Sequence, residues 1–275
     1  MDRRITPSNG RIAAEHLRGL IDAEHFTKGV ARRVALPLVD LCKAPGGPRD
    51  RQLLMGETVT VYDEVEGHRF VQSARDDYVG YVPNGALDQD HNATHWVAVP
   101  AGHAYPEPNM KSQELYPLHF GARVEIASHQ PKFFETTQGH YIPKPHLRPI
   151  DHRFTDPVTV AQMFFGAPYL WGGNSVAGID CSGLVQAACL ACNIACPGDS
   201  DMQAAGLGTS LDIDAPLQRG DLLFWKGHVA FAVDNQTIIH ANAHSMSVAY
   251  EPVDQAIKRI EAQGDGPVTG HRRLS

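Results

Sequence analysis

The stretch Tyr169-Leu170-Trp171-Gly172-Gly173 leads to Asp180-Cys181-Ser182-Gly183, and the run Leu184-Val185-Gln186-Ala187-Ala188-Cys189-Leu190-Ala191-Cys192 follows at once. The lead-in is rich in glycine and aromatic residues, which predicts a loop or turn. The run after Gly183 is small and apolar with neither Gly nor Pro, which predicts a buried helix. Cys181 therefore stands at or just before a helix N-terminus. Unpaired backbone N–H groups and the helix dipole favour a thiolate there. The N–H of Cys181 is in turn a candidate oxyanion donor.

A thiolate needs a base. Two histidines lie downstream in strand-like surroundings: His228, in Lys226-Gly227-His228-Val229-Ala230-Phe231, and His240, in Thr237-Ile238-Ile239-His240-Ala241-Asn242. A nucleophile, a base and a third group that orients the base together make a cysteine hydrolase. His228 is the candidate base, taking the thiol proton and later protonating the leaving amine. His240 is the candidate orienting group, bonding the second ring nitrogen of His228 and so fixing its tautomer. A hairpin turned at Asp234-Asn235-Gln236 would set residues 228 and 240 face to face.

Further out, Asp156-Pro157-Val158-Thr159-Val160 predicts a helix, with Thr155 or Asp156 as cap, Pro157 in the first position and Gly166 as the stop. From Asp221 onward the pattern turns to strands, at 221–225, 228–233, 237–240 and 247–250, and Gly270-His271-Arg272-Arg273-Leu274 reads as a last one. Helices first and strands after describe an α+β domain.

Tyr169-x-Trp171-Gly172-Gly173, Asp180-Cys181-Ser182-Gly183, Gly220-Asp221-Leu222 with His228-Val229, and Ile239-His240-Ala241 come in this order over about residues 160–245. Together they resemble the NlpC family of papain-like cell-wall peptidases. The resemblance implies a papain-like catalytic domain over residues 149–275, with Cys181, His228 and His240 catalytic and neither metal nor other cofactor. It implies a murein-derived peptide substrate, L-Ala-γ-D-Glu-diamino acid, cut at the bond between γ-D-glutamate and the diamino acid. It also implies that Tyr169 lines the site near the oxyanion and that Asp180 and Ser182 help bind the peptide's N-terminal alanine. The residues themselves equally allow Asp180 to be a helix cap. The same fold hosts amidases and acyltransferases, and a peptidoglycan-binding protein with a secondary catalytic domain is a further alternative.

The N-terminal half reads differently. Residues 1–29 are polar and read as an arm, with a short helical pattern at 12–21. Over residues 30–90, Glu57-Thr58-Val59-Thr60-Val61-Tyr62 alternates at period two, and shorter runs such as Tyr78-Val79-Gly80-Tyr81-Val82 follow, punctuated by Gly56, Gly67 and Gly80. This is the pattern of a small all-β barrel. Residues 91–148 repeat it: Met55-Gly56-x-x-Val59 and Tyr81-Val82-Pro83 recur as Phe120-Gly121-x-x-Val124 and Tyr141-Ile142-Pro143, an imperfect internal duplication. Both units are similar to the bacterial SH3-like barrels that precede NlpC-type catalytic domains. In that subgroup an acidic residue and a tyrosine of the first barrel recognise the substrate's free amine, a role the resemblance implies for Glu57 and Tyr78; the residues themselves equally allow both to be ordinary barrel surface. Residues 146–154 read as a linker stiffened by Pro143, Pro145 and Pro149.

A net charge of −7 without a basic run argues against nucleic acid as a partner. No run of ~18 apolar residues predicts a membrane span. The first ten residues lack the apolar core of a secretory signal. An odd set of five cysteines, Cys42, Cys181, Cys189, Cys192 and Cys196, suits free thiols in a reducing compartment. Both point to the cytoplasm. Cys189-x-x-Cys192-x-x-x-Cys196 has no evident fourth ligand and reads as structural. The fifteen histidines, His91 among them, are scattered without metal-ligand spacing.

Overall fold

Period-two alternation builds the first part of the molecule. Residues 30–89 form seven antiparallel strands, in the spatial order Arg49–Leu54, Leu38–Cys42, Val79–Pro83, His68–Ser73, Thr58–Val65, Val30–Val34 and Leu87–Gln89. Val34, Leu41, Leu53, Val59, Val71 and Tyr78 point inward and make one core. Strands His95–Val97, Ala101–Ala104, Tyr116–His119, Phe133–Thr136 and Tyr141–Pro143 surround a second core that includes Val97, Ala104, Leu118 and Ile142. Met55, from the turn of the first barrel, is buried in this second core, and its carbonyl accepts the Arg123 N–H at 2.8 Å. The computed structural model describes residues 1–90 and 92–274, so His91 lies outside the described residues. The chain divides into two compact units, Met1–His152 and Arg153–Ser275.

The duplication is visible in the backbone. Tyr81-Val82-Pro83 ends a strand, the 3-10 turn Asn84–Ala86 follows, and Leu87–Gln89 pairs back; Tyr141-Ile142-Pro143, Lys144–His146 and Leu147–Pro149 repeat that sequence of elements. Two expectations are corrected here. Leu147–Pro149 is a strand paired with His95–Val97, so the first part of the expected linker belongs to the barrel edge. The helical pattern at 12–21 gives no α-helix: Ile12–Ala14 pairs in parallel with His25–Thr27, and only Glu15–Leu17 forms a 3-10 turn. Burial of Ala13, Ala14 and Leu17 accounts for the apolar spacing, and strand pairing outcompetes the helix. The arm is also tied down, since Asn9 Nδ2 donates to Asp63 at 2.9 Å and Arg11 pairs with the same carboxylate.

The second unit is α+β. Its helices are α1 (Pro157–Gln162), α2 (Cys181–Ala191), α3 (Ser200–Gly206) and α4 (Val253–Ala262). Its main strands are β1 (Thr209–Leu211), β2 (Asp221–Trp225), β3 (His228–Ala232), β4 (Thr237–Asn242), β5 (Ser247–Pro252) and β6 (Gly270–Arg273). They form one antiparallel sheet in the order β1-β6-β2-β3-β4-β5. Asp156 caps α1 by accepting the Val158 N–H at 3.0 Å, with Pro157 in the first turn. Helix α4 is absent from the sequence reading, although Val253, Ala256, Ile257 and Ile260 carry the helical period. Val253, Ala256 and Ile260 seal one face of the sheet over Leu223, Trp225 and Ile238. Among the described residues no helix is long and apolar enough to cross a membrane.

Candidate active site

The start of α2 is built by Asp180. One carboxylate oxygen, Oδ1, accepts the Gly183 N–H at 2.6 Å and the Ser182 hydroxyl at 3.1 Å; the other, Oδ2, accepts the Gly172 N–H at 2.9 Å. One side chain thus caps the helix and ties the Trp171-Gly172-Gly173 turn to it. The two parts meet backbone to backbone. A Cβ on Gly173 would lie 2.4 Å from the Gly178 carbonyl oxygen, and one on Gly183 would lie 2.6 Å from that of Gly173. Gly173 and Gly183 are there because nothing larger fits.

Cys181 is the first residue of α2 and is nearly buried. The positive end of the helix dipole favours its thiolate. Its thiol donates weakly to the Gly227 carbonyl at 3.9 Å, which brings the sulfur to the start of β3. Tyr169, half-buried, has its hydroxyl pKa raised, first by burial and then by the nearby Cys181 and Asp180.

Nε2 of His228 lies 2.8 Å from Nδ1 of His240. The hairpin turns at residues 234–236, where Asp234 Oδ1 accepts the N–H groups of Gln236 and Thr237, both at 2.8 Å. The hairpin, however, is centred on residue 235, one residue beyond a symmetric turn at 234, so each strand partner shifts by two. Phe231 faces Ile239 and Ala232 faces Ile238, which continues to Ala230 opposite His240. The two histidines are therefore diagonal neighbours on one face, a distance that long side chains span. Burial holds both imidazoles below the ordinary range, His240 at about 4.

Two groups escaped the sequence reading. Nε2 of His240 bonds Glu251 Oε2 at 3.1 Å, and Arg259 grips that carboxylate through Nε at 2.9 Å and Nη2 at 2.7 Å. Their signal was faint, because Arg259 sits on the unrecognised α4 and Glu251 lies in an alternating strand end. Asn242 closes the following turn by accepting from the Ser245 N–H at 2.8 Å. The five cysteines are free thiols.

Glu57 and Tyr78 lie in the first unit. Glu57 is buried, accepts the Leu54 N–H at 3.1 Å and pairs with Arg75 at 2.7 Å. Tyr78 is 3% exposed and belongs to the barrel core.

Comparisons with known proteins give the family. Residues 166–261 match the NlpC/P60 family, and residues 41–87 match the bacterial dipeptidyl-peptidase Sh3 domain. The probable endopeptidase NlpC of Escherichia coli strain K12 is 33% identical over 109 residues, 34% of this chain and 70% of that protein. The chain belongs to the NlpC/P60 family. This NlpC/P60 chain is also similar to the gamma-D-glutamyl-L-lysine dipeptidyl-peptidase of Bacillus cereus, at 27% identity over 245 residues, 74% of this chain and 71% of that one. Its fold matches the crystal structure of an NlpC/P60 family protein from the same species, with a TM-score of 0.74 at 22% identity over 89% of this chain and 99% of the other. As an NlpC/P60 protein with an SH3-like N-terminal domain, it is a cysteine peptidase of the cell-wall type.

Proposed function

We propose that this peptidase hydrolyses the γ-D-glutamyl-diamino acid bond of short murein peptides that begin with a free L-alanine, and that it serves recycling of wall peptides in the cytoplasm. The observation that carries the reading is that the Cys181 thiol, at the start of α2, lies 3.9 Å from the carbonyl of Gly227, the residue before His228, while His228 is bonded to His240. The substrate class is supported by the Bacillus cereus relative, whose 245-residue match is longer than either unit and so includes both. Five free thiols fit a reducing compartment.

In this reading His240 occupies Nε2 of His228, so Nδ1 of His228 takes the thiol proton of Cys181. The thiolate attacks the γ-carbonyl carbon, and the oxyanion forms in the positive field at the start of α2. Collapse expels the amine of the diamino acid, which receives the proton from His228, and leaves an acyl thioester on Cys181. Water then attacks the thioester, giving its proton to His228, and L-Ala-D-Glu departs as the thiol is restored. Tyr169 borders the thiol. Asp180 and Ser182 contribute mainly by holding the helix start, since both Asp180 oxygens are already engaged. Recognition of the free amine by Glu57 would require its carboxylate to share or release Arg75, and recognition by Tyr78 would require its ring to leave the barrel core.

The test is incubation of L-Ala-γ-D-Glu-diaminopimelate and its lysine analogue with wild type and with Cys181→Ala, products followed by mass. Release of L-Ala-D-Glu by wild type alone is expected, and N-acetylation of the peptide is expected to suppress it. Equal cleavage of the acetylated peptide would remove the free-amine requirement. Binding to insoluble peptidoglycan without cleavage would favour a wall-binding protein instead.

A further inference from the structure

An ionised carboxylate can only accept hydrogen bonds. Glu251 is held in that form by the two-pronged contact with Arg259, whose hydrogen bonds come first among the causes that lower its pKa. The His240 nitrogen facing it, Nε2, must therefore carry the proton. Burial keeps the His240 ring neutral near pH 7, so its Nδ1 is an acceptor. The partner at 2.8 Å, Nε2 of His228, must then be the donor. A neutral His228 that carries its proton on Nε2 presents a lone pair on Nδ1, the nitrogen left for the thiol. The groups that act on His240 are His228 and His244 from β3 and the turn after β4, Glu251 from β5 and Arg259 from α4.

The strands make this line reproducible. Ile238 faces Glu251 and His240 faces Ala249, so Glu251 is diagonal to His240 just as His240 is to His228. The three side chains step across β3, β4 and β5 on one face. Arg259 reaches the end of the line from α4, with its second amino group, Nη1, anchored on Gln263 at 2.8 Å.

We propose that Glu251, clamped by Arg259, is a positioning residue for the reaction: it sets the tautomer of His240 and, through it, leaves Nδ1 of His228 available to Cys181. The proposal rests on the assignment of Cys181, His228 and His240 above. Arg259 compensates the charge of Glu251 and, after burial and His240, itself lowers the pKa of His228, so what Glu251 contributes to the base is a fixed tautomer and not a stabilising negative charge. A purely structural pair would do no more than fasten α4 to β5.

The experiment compares wild type, Glu251→Gln and Glu251→Leu by three readouts: kcat and KM on the murein tripeptide, the ring 15N resonances of His228 and His240, and the rate at which iodoacetamide alkylates Cys181. Glu251→Leu is expected to lower kcat by about 10- to 100-fold with KM little changed, to give His240 a mixture of tautomers, and to slow alkylation. Glu251→Gln retains an acceptor oxygen and is expected to fall between. Wild-type kcat, tautomers and alkylation in Glu251→Leu, with only a lower melting temperature, would overturn the proposal. If Glu251→Leu does not fold, Glu251→Ala, which also lacks the acceptor, is read the same way, and unchanged tautomers and alkylation in it would overturn the proposal. If the wild type leaves the peptide uncut, the substrate reading fails while the tautomers and alkylation still decide the role of Glu251. If Cys181→Ala cuts as fast as wild type, both assignments fall.

Discussion

His228 and His240 meet through Nε2 and Nδ1 at 2.8 Å although the strand register sets neither opposite the other. The diagonal leaves their rings tilted at 58° with centroids 5.0 Å apart, a geometry that depends on a hydrogen bond and not on stacking. Replacing His240 by Ala removes the acceptor for His228 and is expected to cut kcat by two to four orders of magnitude, on the order of losses seen when a triad's orienting group is changed. His240→Asn can still accept and should recover part of it. Steady-state kinetics on the murein tripeptide checks both, and KM is expected to change far less than kcat.

The pH dependence of stability follows from burial of His240. An unfolded histidine titrates near 6.5, whereas burial holds the native ring at about 4, with Glu251 opposing that shift and Arg259 and His244 adding to it. Between those values the unfolded chain binds the proton and the native chain does not. Stability from this group is complete above about pH 6.5, falls as pH drops, and is gone below about 4, a loss of about 3 kcal/mol from a shift of this size. Denaturant midpoints measured from pH 7 to 4 should decline more steeply for wild type than for His240→Asn.

Asp180 joins two segments through one carboxylate. Asp180→Ala leaves the N–H groups of Gly172 and Gly183 without this acceptor and is expected to cost about 1–3 kcal/mol of stability. Activity should fall with it, because the cysteine rides on the same helix end. A raised KM with an unchanged melting temperature would instead mark Asp180 as a ligand-binding group.

Gly183 tests the backbone contact at the start of α2. A methyl group there would meet the Gly173 carbonyl oxygen at 2.6 Å, a backbone atom that no rotamer change can move aside, and would also crowd Asp180 Oδ1 at 3.0 Å. Gly183→Ala is expected to destabilise by about 1–3 kcal/mol, seen as a lower urea midpoint at unchanged slope.

In the first barrel, Arg75 and Glu57 are paired with only 7% of either side chain exposed. Arg75→Met would leave a buried carboxylate without its charge partner and should cost about 3–5 kcal/mol. Adding Glu57→Leu to it should recover only part of that loss, because Asp76, its side chain fully buried and 3.5 Å from Arg75 Nε, also loses this cation. Thermal unfolding of the two variants beside wild type measures the difference.

The sequence alone determined whatever depends on neighbours along the chain. The Gly-Gly lead-in, the Asp180 cap and the apolar run after Gly183 announce α2 and place Cys181 at its start, because capping and helical period act within a few residues. The Tyr-x-Pro strand ends announce the duplicated barrel for the same reason, and the alternation around His228 and His240 announces their strands. Tertiary structure alone decided what depends on partners far apart in sequence. It made Ile12–Ala14 a strand by pairing it with residues 25–27, and set Met55 in the second barrel's core. It centred the hairpin one residue further along, which shifts each strand partner by two, so that the histidines meet diagonally. It also brought Glu251 and Arg259 behind His240. A lone glutamate in a strand and a lone arginine on a helix carry no local sign of each other; only the packing of α4 on the sheet turns them into one charged clamp.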